Sequence, residues 1–519
     1  MEPKKTERNT IVGAVLMIAA IVLLVATGRL NILLSILMIG VVICFHEFGH
    51  FLIARINGVT VKEFSIGFGP RLFSKVIRGT KWSVKLLPFG GSCLMLGDDE
   101  AIAEDPDKLL KPSPKEVTDK ISAAEDEDDA EGEQVSAAAE AAQIGEKPDV
   151  SELHAEEAEG TFRSKNVWQR IGIIFAGPFF NFILAFIFAC IIIGSIGYDP
   201  AYVTSVTEDV AAATGLQVED KIIEYEDHTI RIGRDLALYE SLDGVPERVT
   251  IKYERDGKIY EGTYETKMNR RYMFGITYTL NQQDGHLPMT LSEVSGPAAE
   301  AGLKAGDKIT QINGVPISTP EEFQEYISEN PLTGQPISLV IDRNGMALIV
   351  NVTPALNETR EMGFSYNINY REKVGAFGVM KYGLNEVGYW MKATVKSLKF
   401  LLQGKAKRQD VGGAVRVVSE MSNVVDESYH SDGIFYAFLN LLNWAILLSA
   451  NLGVMNLLPI PALDGGRLLF LFIEAVRGKP VNPKVEGYVT LAGFVLLILL
   501  MIVILFNDIS NVFGMLLPL

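Results

Sequence analysis

Histidine and cysteine are scarce in this chain of 519 residues, which has six of the former and three of the latter. Cys44, Cys93 and Cys190 lie far apart and show no CxxC spacing. That excludes a disulfide framework and a thiolate metal cluster and leaves them as packing residues. A basic surplus is also missing. The net charge of -17 arises in one stretch: from Asp98 to Gly160 there are 22 acidic and 5 basic residues, whereas elsewhere 42 acids balance 42 bases. Nothing in that balance supports nucleic-acid binding. The acidic stretch also lacks aromatics and apolar runs, so it cannot bury a core and reads as a disordered insertion.

Apolar runs, by contrast, are plentiful. With 48% hydrophobic and 21% charged residues, the composition mixes membrane spans with a large aqueous part. Five runs come near the ~20 residues a bilayer requires: Ile11 to Thr27, Leu30 to about Ile53, Ile171 to Ile196, Ile434 to Leu458 and Val489 to Phe506. The first lacks a small-x-small cleavage site and leads straight into the second, so it reads as a retained helix. If the spans alternate, Lys4, Lys5 and Arg8, the bases from Arg55 to Lys85, Arg163 to Arg170, and Arg467 to Lys484 fall on one side, which is then cytoplasmic. The basic stretch Lys392 to Arg416 is the exception, external in this scheme, and fits an amphipathic helix on anionic headgroups.

The second span ends in Cys44-Phe45-His46-Glu47-Phe48-Gly49-His50. On a helix, residues i and i+4 share a face about 6 Å apart, so His46 and His50 can direct two imidazoles at one Zn²⁺, with Glu47 placed to take a proton from a polarised water. Ionisable groups in hydrocarbon are costly unless paired or functional, which strengthens the metal reading over a chance match. Arg55 follows His50 by about 7.5 Å of helix, so the site lies shallow on the cytoplasmic side. With so few histidines, a third ligand is better sought among carboxylates. The fourth span ends Asn456-Leu-Leu-Pro-Ile-Pro-Ala-Leu-Asp464-Gly-Gly, where two prolines break the helix and the glycines permit a tight turn. Alternating spans return Asp464 to the depth of His50.

Two further stretches carry organisation. Phe64 to Leu96, with glycines and prolines between short apolar runs such as Trp82 to Leu87, reads as membrane-associated β-hairpins. An edge strand from the Trp82 to Leu96 region can hold an unwound peptide by strand addition, with Val84 and Leu86 as the positions where proline would disturb it. Between the third and fourth spans, Gly302-Leu-Lys-Ala-Gly-Asp-Lys-Ile-Thr-Gln-Ile-Asn-Gly-Val-Pro-Ile317 has a looser copy from Gly215 to Ile230, and each copy is followed by a glycine-bearing strand, Phe274-Gly275-Ile276 and Met362-Gly363-Phe364. Two consecutive domains are expected.

Ser295-Gly-Pro-Ala-Ala-Glu-Ala-Gly-Leu303 resembles the PDZ domains of bacterial proteases, which bind peptide by β-augmentation. Gly363 and Phe364 are then the expected peptide-binding loop of the second domain, a site for a newly cut C-terminus. The first copy has Val210 where the second has Pro297 and Glu219 where it has Gly306, and fits a purely structural role as well as a binding one.

His46-Glu-Phe-Gly-His50 together with Asn456 to Gly466 closely resembles the site-2 protease family of intramembrane zinc metalloproteases, and with the PDZ pair the bacterial regulators of sigma-factor release. Gly177-Pro-Phe-Phe-Asn181, Leu87-Pro-Phe-Gly-Gly91 and Gly404-Lys405 before Gly412-Gly413 share the resemblance. It implies that His46, His50 and Asp464 ligate Zn²⁺, that Glu47 is the general base, and that Asn456 and Asn181 line the substrate path. Departures are Ala414 where the family usually has proline, Ser92-Cys93-Leu94 in place of a Tyr-Val-Lys-like run, and the extra N-terminal span.

The expected fold is a polytopic α-helical membrane protein of about five spans with two extracytoplasmic α/β PDZ domains and a membrane-associated β-hairpin region. Its parts are an extra span (1–29), the HExxH helix and hairpins (30–97), the cytoplasmic acidic insertion (98–160), the GPxxN span (161–198), PDZ domains at 199–282 and 283–370, an amphipathic juxtamembrane segment (371–432) and the LDGG-bearing helices (433–519). The expected activity is cleavage of single-span proteins in a bacterial cell membrane, with peptide C-termini as PDZ partners and no nucleic acid. The alternatives are a catalytically silent PDZ scaffold, which needs no HExxH, and a metal carrier, which needs neither Glu47 nor peptide-binding domains.

Overall fold

In hydrocarbon a backbone must satisfy its own hydrogen bonds, so the long apolar runs form helices, while the alternating, glycine-punctuated stretches pair as strands. The computed structural model describes residues 29–98, 160–278, 289–367, 370–404 and 412–516. The expected span Ile11 to Thr27 and almost all of the acidic insertion lie outside them. The chain divides into two compact units, Met1–Gly197 with Val374–Ile509, and Tyr198–Lys373 with Ser510–Leu519.

Among the described residues of the first unit, four helices are long and apolar enough to cross a membrane: α1 (Leu30–Ile56), α2 (Val167–Ile196), the helix Ile434–Leu457, and Val485–Phe506 within the last helix. Helix α2 opens with a capping box, in which Gln169 N–H donates to Asn166 Oδ1 (2.9 Å) and Asn166 N–H to Gln169 Oε1 (3.2 Å). It is the hub of the unit and packs against α1 along one side. A side chain at Gly49 of α1 would run into the Ala176 carbonyl, so the two helices touch backbone to backbone one turn past His46 and next to His50.

The hairpin strands β1 (Val61–Ile77) and β2 (Thr80–Met95) turn through Arg78 and Gly79, both with positive φ. They form one curled sheet rather than separate hairpins. Residues 63–66 lie between 81–84 on one side and 91–94 on the other, and Val84 is flanked by both Phe73 and Ile66. Within the expected Trp82 to Leu96 region, Val84 is therefore interior, which makes it a poor place to disturb an edge. The outer edge is Gly91 to Met95, which has no second strand partner among the described residues. Trp82 meets Phe51 edge to face (centroids 5.1 Å apart) and Phe64 at a tilt (4.8 Å), pinning the sheet to α1 one residue past His50.

The acidic insertion leaves and re-enters through a closed neck. Thr60 N–H donates to Gly160 O (2.8 Å), Leu96 N–H to Thr60 O (2.8 Å) and Phe162 N–H to Leu96 O (2.7 Å). Because the ends are already fastened, deleting residues 99–159 and joining them by a short Gly/Ser linker is expected to keep membrane insertion and cleavage within about twofold, since a shorter loop costs less to close. A cleavage assay on the deletion checks this; loss of activity with normal insertion would give the segment a functional role.

The second unit holds two β-domains. Its first part comprises β3 (Tyr202–Val206), α3 (Glu208–Thr214), β4 (Lys221–Tyr225), β5 (His228–Thr229), α4 (Gly233–Asp243), β6 (Arg248–Arg255) and β7 (Lys258–Glu265). There follow β8 (Lys267–Met273), β9 (Ile276–Tyr278), β10 (Leu291–Val294), α5 (Gly296–Glu300), β11 (Lys308–Ile312), β12 (Val315–Pro316), α6 (Pro320–Glu329), β13 (Ile337–Arg343), β14 (Met346–Val352), β15 (Ala355–Glu361) and β16 (Phe364–Asn367). The repeat is visible in its chemistry. Arg255 binds the buried Asp220 (Nε to Oδ1, 2.6 Å) and the Gly215 carbonyl (2.8 Å), and Arg343 does the same with Asp307 (2.7 Å) and Gly302 (2.8 Å). Each buried carboxylate is thus paired, as burial demands.

The domain boundary expected at 282/283 is corrected. Strand β16 pairs with β3, and Met362 and Phe364 belong to the core of the first domain, whereas Phe274 and β9 belong to the second. The second domain is inserted within the first, and β8 pairs with β15 as the connecting ribbon. Where the chain enters and leaves the unit, Tyr198 N–H donates to Glu372 O (3.1 Å) and Glu372 N–H to Tyr198 O (2.9 Å).

The remaining helices of the first unit are α7 (Ala376–Leu402), α8 (Ala414–Ser431), α9 (Ile434–Leu457), α10 (Asp464–Arg477) and α11 (Pro483–Leu516). The basic stretch Lys392 to Arg416 is not a single helix but straddles the end of α7 and the start of α8; α7 packs on α2 and α9, and α8 on α9 and α1. Buried Asp508 of α11 accepts from the N–H groups of Gly413 (2.9 Å) and Arg416 (3.3 Å), supplying the N-cap that α8 lacks locally.

Candidate active site

Two consecutive turns of α1 bring His46 and His50 to its buried face, with Nε2 atoms 3.3 Å apart. Asp464 Oδ2 lies 3.1 Å from His46 Nε2 and 3.4 Å from His50 Nε2. Three donors at these separations match the edges of a tetrahedron about 3.3 Å long, which ligand bonds of about 2.0–2.1 Å produce, so the group can hold a metal ion. Asp464 opens α10, where a carboxylate is favoured by the helix dipole. The turn before it is tight. Side chains at Gly465 and Gly466 would strike the carbonyls of Leu458 and Ile460, and Ala462 holds φ +73, a strained value for a residue with a Cβ.

Helix α2 forms the floor beneath the imidazoles. His50 Nδ1 lies 2.9 Å from the Ile173 carbonyl, and His46 Nδ1 lies 3.1 Å from the side-chain amide of Asn181. Gly177, midway between, has no room for a methyl group, whose place is taken by both rings.

A cavity of about 570 Å³ opens on the donor group, lined among others by Ile43, Glu47, the strand from Gly90 to Met95, Asn456, Asp464 and Arg467. Glu47 borders it without joining the donor set. A Cβ at Gly91 would lie 2.9 Å from Glu47 Cγ, so the sheet edge packs directly on this side chain. Asn456 Nδ2 lies 3.4 Å from His46 Nε2, on the open side of the group. Asp98, at the neck of the insertion, accepts from Arg467 (2.5 Å), one turn past Asp464.

His46, Glu47, His50, Asn456 and Asp464 thus converge as expected from sequence. Asn181 converges too: it is 0% exposed, and its side chain lies against His46 Nδ1. Gly363 and Phe364 line a separate cavity of about 460 Å³ with Ser205, Thr207, Glu240 and Tyr366. It belongs to the first β-domain, beside the free edge of β16, and not to the second as expected. Gly91, Arg467 and Asp98 were missed; only proximity in the fold gives them a role.

Two imidazoles and a carboxylate around one point, with a second carboxylate beside them at the end of an apolar helix, define a membrane-embedded metallopeptidase. The chain matches peptidase family M50 over residues 34–500 and belongs to that family. It is 29% identical to the zinc metalloprotease RasP of Geobacillus kaustophilus (93% of this chain, 98% of the relative) and 28% identical to the regulator of sigma-W protease RasP of Bacillus subtilis (93% and 99%). It is 30% identical to the regulator of sigma-E protease RseP of Salmonella typhimurium (93% and 98%). Among solved structures, a HtrA3 PDZ domain bound to a phage-derived ligand aligns with 18% of this chain and 93% of its own, at 22% identity and a TM-score of 0.15. The chain is a membrane-bound metalloprotease with a β-rich second unit.

Proposed function

We propose that this protein is an intramembrane zinc metalloprotease that cuts single-span membrane proteins, of the anti-sigma-factor kind that the names of its relatives imply, in regulated proteolysis. The observation that carries the reading is one cavity in which His46, His50 and Asp464 converge beside Glu47 and an unpaired strand edge. His46 and His50 through Nε2 and Asp464 through Oδ2 would hold Zn²⁺. When bound, the metal supplies Lewis acidity, polarising the scissile carbonyl and acidifying water.

The protein's residues do the rest. Glu47 accepts a proton from the attacking water and returns it to the leaving amine, so no net proton is consumed. Asn456 donates from Nδ2 to the substrate backbone at the mouth of the group. A helical substrate hides its carbonyls in its own hydrogen bonds and must be extended before one can be reached; the edge from Gly91 to Met95 offers replacement bonds by strand addition.

The catalytic centre lies towards the cytoplasmic side and the β-domains are extracytoplasmic in this proposal, supported by the basic flanks of the spans. The groove beside Gly363 takes a substrate's freshly trimmed C-terminus against β16, which makes external trimming the step before intramembrane cutting. The test compares intact and pre-trimmed single-span substrates in reconstituted liposomes. Trimmed substrate is expected to be cut at least about tenfold faster, an advantage lost when Ser365, exposed on the same groove, is replaced by Asp, because a carboxylate there opposes the substrate's C-terminal carboxylate at a cost on the order of 1.4 kcal/mol or more. Equal cleavage of both substrates by the native chain removes the trimming step from the proposal.

A further inference from the structure

We infer that Asn181 is a positioning residue of the metal centre: its amide oxygen accepts the Nδ1 proton of His46 and fixes the tautomer whose Nε2 is free to ligate. This rests on the zinc reading above.

His46 Nε2 faces the donor group, 3.1 Å from Asp464 Oδ2 and 3.3 Å from His50 Nε2. A neutral imidazole that ligates through Nε2 carries its proton on Nδ1, and that N–H, being buried, needs an acceptor. Asn181 is the group at Nδ1, 3.1 Å away and fully buried. With Nδ2 turned towards the ring, Oδ1 has no hydrogen-bond partner. Two N–H groups would then face each other. The oxygen and nitrogen of an amide are interchangeable in such an assignment, and turning it by 180° places an acceptor on the Nδ1 proton.

The surroundings hold Asn181 for this task. Ser449 Oγ on α9, also fully buried, donates to the Asn181 carbonyl at 2.8 Å and fastens this turn of α2. His50 is served in the same way from the same helix, because its Nδ1 meets the Ile173 carbonyl at 2.9 Å. Residues 173, 177 and 181 form one stripe of α2: a main-chain acceptor, a glycine that makes room for both rings, and a side-chain acceptor. Of the two acceptors only Asn181 can be changed by substitution. Outer partners of this kind set ring orientation and basicity, and their loss typically costs 10- to 100-fold in metal affinity.

The test measures zinc affinity of the purified full-length protein by competition with a chromophoric chelator, together with the electronic spectrum of the cobalt-substituted form. Asn181→Leu is expected to weaken zinc by about 10- to 100-fold and to shift the cobalt bands. Asn181→Asp, which keeps an acceptor at Nδ1, is expected to stay within about threefold of native, and Ser195→Ala, which removes a side-chain bond to the Ile191 carbonyl (2.7 Å) at the far end of the same helix, is expected to leave zinc affinity unchanged. Where Asn181→Leu fails to accumulate in the membrane, Asn181→Ser, too short to reach Nδ1, gives the same reading. Native zinc affinity and cobalt bands in Asn181→Leu or Asn181→Ser, with only KM raised, overturn the inference and return Asn181 to the substrate path. Absence of zinc binding by the native protein instead overturns the zinc reading itself.

Discussion

Glu47→Gln is expected to retain zinc, membrane insertion and the packed sheet edge while losing at least about 10³-fold in cleavage rate, within the range that general-base catalysis contributes. Glutamine has the shape of glutamate, so the contact of Gly91 with the Cγ of residue 47 is kept. The donor group is His46, His50 and Asp464, so no ligand is removed. What disappears is the capacity to take a proton at neutral pH, since an amide oxygen is a far weaker base than a carboxylate. Metal content by atomic absorption and single-turnover cleavage of a single-span substrate make the comparison. Undiminished turnover would falsify the role of Glu47 and move the base elsewhere in the cavity.

The second large effect is expected from the smallest substitution. Gly177→Ala adds one methyl group to the interior of α2, and by intrinsic helix propensity alone it should stabilise the helix by about 1 kcal/mol. The space for that methyl is occupied by the rings of His46 and His50. Overpacking typically costs about 1–3 kcal/mol, and here the atoms that must give way are the metal ligands. Zinc content and activity are both expected to fall by at least about tenfold. Gly172→Ala and Gly194→Ala on the same helix meet nothing within 4 Å, so they keep both properties and isolate the steric cause. If Gly177→Ala matches these two controls, the seat of the imidazoles is not where the structure puts it.

The parts of this site that were legible in the sequence are those whose chemistry is written locally. Two histidines four apart with a glutamate between them, and an aspartate before paired glycines after a proline-broken helix, need no partner to be recognised. Asn181 was found by its motif, but its contact with His46 was not foreseen, because spacing gives a residue's helix and not what lies against it. The hairpin shows the same limit. Alternation of apolar residues marks Trp82 to Leu87 as strand, but whether a strand is an edge depends on pairing, and Val84 lies between two neighbours while Gly91 to Met95 has one. The boundary between the β-domains failed for a related reason. Phe274-Gly275-Ile276 and Met362-Gly363-Phe364 are near copies, so either can close either core, and only the observed pairing of β16 with β3 decides. Asp508 capping α8 joins residues about ninety positions apart, which no local signal announces.

Because the second β-domain is inserted in the first, the ribosome finishes them in the order opposite to the one in which it starts them. The inner core is complete once Val352 has emerged, whereas the outer core, begun at Ala201, still lacks Met362 and Phe364. Domains usually fold during synthesis from the N-terminus onwards. Here the earlier one must wait with the edge of β3 uncovered until the later one has folded and β15 has returned along β8. A nascent chain that has emerged as far as about residue 355 is therefore a folded inner domain carried on an open outer one, and that interval is when this half of the protein is most exposed to proteases and to pairing with another chain.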